Sequence, residues 1–163
     1  MNPKIEILEE KKLIGLSIKM SLASNKTGQL WGQFAPRIKD IQNRTSEDKI
    51  SMQIYPPAYF KQFNPNTEFK KWATVEVTDS ENIPNGMKSF ILKGGLYAVF
   101  DYKGSSSDSS IFQYIFSEWI PNSIYEVDIN ALINADKIGI RQKIKVDEDV
   151  IFKKTNEKLN DWR

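Results

Sequence analysis

Two carboxylates set among aromatic rings carry the strongest chemical suggestion in this sequence. In the strand-like stretches near residues 49–55, 70–78, 96–102 and 123–128, alternation collects Gln53, Tyr55, Trp72, Thr74, Glu76, Tyr97, Val99, Ile124 and Glu126 on one side. Ile50, Met52, Ile54, Ala73, Val75 and Val77 fall on the other side and read as core. Rings supply contact area and cation–π attraction, and a partly desolvated carboxylate supplies charge complementarity. The first set contains no Lys or Arg. It describes a pocket for a flat, apolar, cationic molecule, with Glu126, Tyr55, Trp72, Glu76, Tyr97, Gln53 and Ile124 as candidate ligand-binding residues. The same rings would serve equally as cross-strand pairs on a sheet surface, and one bulge reverses every assignment.

What the chain lacks narrows the chemistry further. Its 163 residues include no Cys and no His. Disulfides, thiolate catalysis and Cys-ligated metals are excluded, and so are the commonest general base near neutral pH and the commonest transition-metal ligand. Any catalysis would fall to carboxylates, Tyr or Lys, and no catalytic residue, metal or cofactor is assigned. The net charge of +2 comes with scattered lysines, so no basic patch for direct nucleic-acid contact stands out. No apolar run reaches membrane-spanning length, and Met1–Lys4 lacks the apolar core of a signal peptide. The expectation is one cytoplasmic domain over residues 1–163, with no membrane contact.

Those candidates need elements to hold them. Lys4–Glu9 and Lys12–Ser21 read as strands, the second with Ile14, Leu16, Ile18 and Met20 on one face. Leu30, Trp31, Phe34, Ile38 and Ile41 mark an amphipathic helix that Pro36 should kink or interrupt. Strands follow at Lys49–Tyr55, Lys70–Thr78, Met87–Leu92 and Leu96–Tyr102. After the Ser-rich loop at Gly104–Ser107, Ile111, Phe112, Ile115, Phe116 and Trp119 form a second helical stripe, expected to pack on Val75 and Val77. Pro121 is expected to end that helix by pushing Ile120 out of the α region. A strand over Ser123–Asp128 and another over Lys143–Phe152 complete the pattern, before a polar tail over Lys153–Arg163. Strand–helix–strand–strand thus occurs twice, near residues 12–78 and 95–153. This is an α+β architecture: tandem repeats forming an antiparallel sheet with two helices on one face.

The stretches "LWGQFAPRI", "ISMQIYP", "FKKWATVEV", "IPNGM", "GGLYAVFDYKG", "EWIPNS" and "YEVD", in this order, resemble the GyrI-like small-molecule-binding family over Lys12–Asp128. That family also supplies the effector-binding domain of many AraC-type and MerR-type transcription regulators. The resemblance implies the same tandem fold, a ligand cleft between the halves, and a buried Glu at the base of the pocket that matches Glu126. With no helix-turn-helix segment in view, it implies a stand-alone module that binds an amphipathic, aromatic, cationic ligand. It also implies two alternatives: hydrolysis of reactive cytotoxic compounds in the same cleft, and modulation of a protein partner such as DNA gyrase. The chain departs from the family after Asp128. Ile129–Asn134 replaces an Arg-Pro-His-Phe-Glu stretch common there.

Overall fold

The computed structural model describes residues 2–56, 59, 62, 64–102, 110–125, 127–136 and 140–146. The alternating stretches form β1 (Lys4–Leu8), β2 (Lys11–Met20), β3 (Lys49–Ile54), β4 (Phe69–Val77), β5 (Lys88–Leu92), β6 (Gly95–Tyr102), β7 (Val127–Asp136) and β8 (Ile140–Val146). α1 (Thr27–Phe34) follows β2. α2 (Ser110–Tyr114) follows β6 and runs on through a π-helical turn at Ile115–Trp119 into Ile120–Asn122. All the strand pairings are antiparallel, in the order β1-β6-β8-β7-β3-β4-β2-β5. The order reads as a palindrome. β2-α1-β3-β4 and β6-α2-β7-β8 are the two repeats, joined by the β3–β7 pair, and the strand preceding each repeat lies at the far edge of the other one.

That exchange of edge strands bends the sheet. β1 and β2 stand six strand spacings apart in the sheet order, as do β5 and β6. In a flat sheet this is about 29 Å. Each pair is joined by two residues, Glu9–Glu10 and Lys93–Gly94, and such a link reaches at most about 11 Å. The sheet therefore curls until its flanks meet. Leu13, Ile50, Met52, Trp72 and Leu92 pack with Tyr97 and Val99 into one buried interior cluster. At the meeting of the two links, the Tyr97 hydroxyl donates to the Lys93 carbonyl at 2.9 Å. A Cβ on Gly94 would lie 2.9 Å from the Leu8 carbonyl oxygen, so only glycine fits this close approach.

Both helices cover the outer face. α1 places Leu30 and Phe34 over Ile14, Ala73, Val75 and Val77. α2 places Ile111 and Ile115 over Ala98 and Phe100, together with Met20, Tyr55 and Phe69 from the first repeat. The expected packing of the second stripe on Val75 and Val77 is therefore corrected, because α1 covers those two residues and α2 lies over a different part of the sheet. Phe116 is half-buried against the same cluster, and the Phe112 side chain lies outside the described residues.

The two prolines act differently. The helix before Pro36 changes to a 3-10 segment at Ala35–Asp40, an interruption of the expected kind. Pro121 does not end its helix. Ile120 stays helical at φ −61° and ψ −48°, and its N–H reaches back to the Ile115 carbonyl. The wide π turn just before it loosens the spacing where a proline would otherwise clash. The chain turns instead at Ser123, whose Oγ accepts the Tyr125 N–H at 3.1 Å. β7 accordingly begins at Val127 rather than Ser123, and the divergent Ile129–Asn134 stretch lies within it. The last strand is seen over Ile140–Val146, and the stretch from 147 to 163 lies outside the described residues.

Candidate functional site

Strand register divides the predicted pocket between the two faces of the sheet. Met52 stands opposite Trp72, and Ile50 opposite Thr74. Ile50, Met52 and Ile54 therefore share a face with Trp72, Thr74 and Glu76. Gln53 and Tyr55 lie on the helix side with Phe69, Lys71 and Ala73. The expected grouping fails because alternation fixes the sides within one strand but not the register between strands.

Trp72, Tyr97 and Glu76 belong to the interior face, and each already has partners. The Trp72 ring packs on Phe90 at 5.4 Å, and Lys70 Nζ lies 5.9 Å above it. Tyr97 is fully buried and Glu76 pairs with Lys11 at 3.0 Å. Trp72 Nε1 is enclosed, with no hydrogen-bond partner among the described residues.

The helix side brings other rings together. Tyr55 packs against Tyr59 at 4.5 Å and Phe69 at 5.0 Å, and Tyr59 meets Phe69 edge-on at 6.0 Å. Trp119 stacks on Tyr125 at 5.9 Å and stands edge-on to Phe100 at 5.1 Å. All six rings belong to one cluster under α2, with Ile124 packed against it. Burial raises the Tyr55 hydroxyl well above the ordinary tyrosine range, with Tyr59 adding to it, and raises Tyr59 and Tyr125 too. These phenols stay neutral at physiological pH. They present rings and hydroxyls, not charge.

A cavity of about 320 Å³ opens beside these rings at the ends of β2, β3 and β4, walled by Tyr55, Phe69 and Ile54. Lys19, Lys70 and Glu68 also line it, two positive charges against one negative, a balance that works against a cation. Its size is at the lower end for small-molecule sites. Between this ring cluster and the core under α1 lies one polar pair, Lys71 and Gln53, paired across β4 and β3. Lys71 is 5% exposed, and burial lowers its ammonium from 10.5 to about 8.

Of the seven predicted residues, Gln53, Tyr55 and Ile124 lie on this helix side, Trp72, Glu76 and Tyr97 do not, and Glu126 lies outside the described residues. Sequence reasoning missed Tyr59, Phe69 and Lys71. A signal for Lys71 was available, because Phe69, Lys71, Ala73, Val75 and Val77 alternate as one stripe that a single lysine interrupts. Among the described residues no group of three or more His, Cys, Asp or Glu side chains could hold a metal ion. No described helix is long and apolar enough to cross a membrane.

Residues 4–155 match the profile of a family described as integron-associated effector binding protein, Cass2. The chain belongs to this Cass2 effector-binding family. The match brackets the whole curled sheet and extends the GyrI-like resemblance in both directions. The Cass2 domain described here is also 31% identical over 106 residues, 64% of its length, to the transcriptional regulator BrlR of Pseudomonas aeruginosa. It spans only 37% of that regulator. Its fold is shared with an integron cassette protein from the mobile metagenome of Vibrio cholerae, at a TM-score of 0.66 and 14% identity over 90% of this chain and 96% of that one. It is shared equally with SAV2435, solved bound to tetraphenylphosphonium, at a TM-score of 0.67 and 14% identity over 91% and 95%. The Cass2 domain thus has the GyrI-like effector-binding fold, and small-molecule binding is the activity of its family.

Proposed function

We propose that the protein captures an amphipathic aromatic cation, with the ligand's rings meeting Tyr55, Tyr59 and Phe69 and its charge meeting Glu126. The observation that carries this reading is the buried set of rings on the helix side, two of which, Tyr55 and Phe69, also line the cavity at the strand ends. Rings packed edge-on and tilted give a ligand area and quadrupole attraction at low entropic cost. The relative solved with tetraphenylphosphonium supports a lipophilic cation as the first ligand to try. Glu126 follows Tyr125 directly, and the family resemblance gives a Glu at this position the role of anionic anchor. A partly desolvated carboxylate pairs with an organic cation more strongly than water-screened charges do.

The test is calorimetric titration with tetraphenylphosphonium and with neutral triphenylphosphine oxide. Glu126→Gln keeps the shape of the side chain and removes its charge. It should weaken phosphonium binding by about 1–3 kcal/mol, the scale of a hydrogen bond to a charged group, and leave the oxide nearly unchanged. Equal affinities of wild type and variant for the phosphonium would remove Glu126 from this role.

A further inference from the structure

A second charge belongs to the same ligand reading and deepens it. On the helix side, Ile18, Lys71 and Gln53 form one register line across β2, β4 and β3. On one side of this line lie Met20, Phe69 and Tyr55, which belong to the ring cluster under α2. On the other side lie Leu16, Ala73 and Ser51, and Leu16 and Ala73 belong to the core under α1. Lys71 and Gln53 therefore mark the seam between the two helix-covered clusters.

Neither side chain finds a hydrogen-bonding partner among the described residues, and Gln53 Oε1, unlike Lys71 Nζ, is fully enclosed. Lys71 is 5% exposed and Gln53 is 8% exposed. No carboxylate among the described residues pairs with the Lys71 ammonium, since the ion pairs found there are Lys11–Glu76 and Arg37–Asp40. Gln53 Oε1 is enclosed without a hydrogen-bond partner among the described residues. A buried ammonium and a buried amide oxygen both lose hydration, and apolar side chains of similar size would fill this seam without that loss. Their neighbours on the three strands are apolar or uncharged: Ile18, Phe69, Ala73, Ser51 and Tyr55. The Tyr55 phenol, raised by burial, stays neutral and does not supply a counter-charge.

We propose that Lys71 is an anion-accepting subsite at this seam, so that the effector is an aromatic molecule carrying a carboxylate or similar anionic group beside its rings. The ammonium donates to the anionic oxygen, and the Gln53 amide next to it offers hydrogen bonds to the same group. With the cationic group of the preceding section, the ligand class becomes an aromatic zwitterion.

The probes are carboxybutyl-triphenylphosphonium, a zwitterion at neutral pH, and its methyl ester, which is cationic only. Calorimetry on the full chain should show the acid binding about tenfold or more tightly than the ester, the gain expected of one charge-assisted hydrogen bond. In Lys71→Met the two affinities should come within about twofold of each other. Lys71→Gln, checked for an intact melting transition, should behave the same way and guards against a folding defect in the first variant. Binding of both probes with a ratio unchanged by either substitution overturns this inference alone. Binding of neither probe overturns the aromatic-cation reading, and this inference with it.

Discussion

Replacing Lys71 by methionine should make the protein more stable, by an amount that depends on pH. The side chain is 5% exposed and its ammonium is held at about 8 instead of 10.5. That difference corresponds to roughly 3 kcal/mol of destabilisation by the charged form. Methionine keeps the length of the stem and removes the charge, so the gain near neutral pH should be about 1–3 kcal/mol. The sign of the pH dependence follows from proton binding. Between about 8 and 10.5 the folded wild type binds fewer protons than the unfolded chain, so its stability rises with pH there. The advantage of Lys71→Met is therefore complete below about pH 8 and should fall by more than half by about pH 9.5. The buried tyrosines are common to both proteins and cancel in the comparison. Urea unfolding of wild type and variant at about pH 7 and about pH 9.5 measures both numbers. A less stable variant, or a stability gap that does not change with pH, would refute the buried, unpaired ammonium.

Three further outcomes follow from the fold. Ile115 is fully buried under α2, so Ile115→Ala should cost about 2–5 kcal/mol in urea unfolding. A loss under about 1 kcal/mol would mean that the second helix does not cover the sheet. A Cβ at Gly15 would meet the Ala73 carbonyl oxygen on the neighbouring strand, so Gly15→Ala should cost at least about 1–3 kcal/mol, read as a drop in Tm. Glu76 is tied to Lys11 with both side chains partly exposed, so Glu76→Gln should change stability by less than about 1 kcal/mol and leave phosphonium affinity as it is.

The tandem strand–helix–strand–strand order could be read from the chain because each strand alternates cleanly and each helix carries its own apolar stripe. Pro36 announced the interruption of α1 for a local reason, the missing donor and fixed φ. The failures came from information that is not local. Register between β3 and β4 decides whether Tyr55 shares a face with Trp72, and nothing in either strand encodes it. Pro121 was misjudged because a π-helical turn, unmarked by any residue type, relieves the clash that would otherwise stop the helix. The curl of the sheet could not be seen either. It arises from two-residue links between strands that pair in opposite halves, and that pairing is a property of the whole chain. The ring cluster was half visible, with Tyr55 named and the stretch around Tyr59 recognisable as aromatic. Lys71 falls in the apolar stripe by parity, but nothing local distinguishes a buried ammonium from the solvated lysine beside it in the chain.

The most direct test of the central claim is a crystal structure with tetraphenylphosphonium bound. The account predicts density for the phenyl rings on the helix side of the sheet, against Tyr55, Tyr59 and Phe69. Density on the interior face against Trp72 and Tyr97, or a ligand held only at the molecular surface, would contradict it.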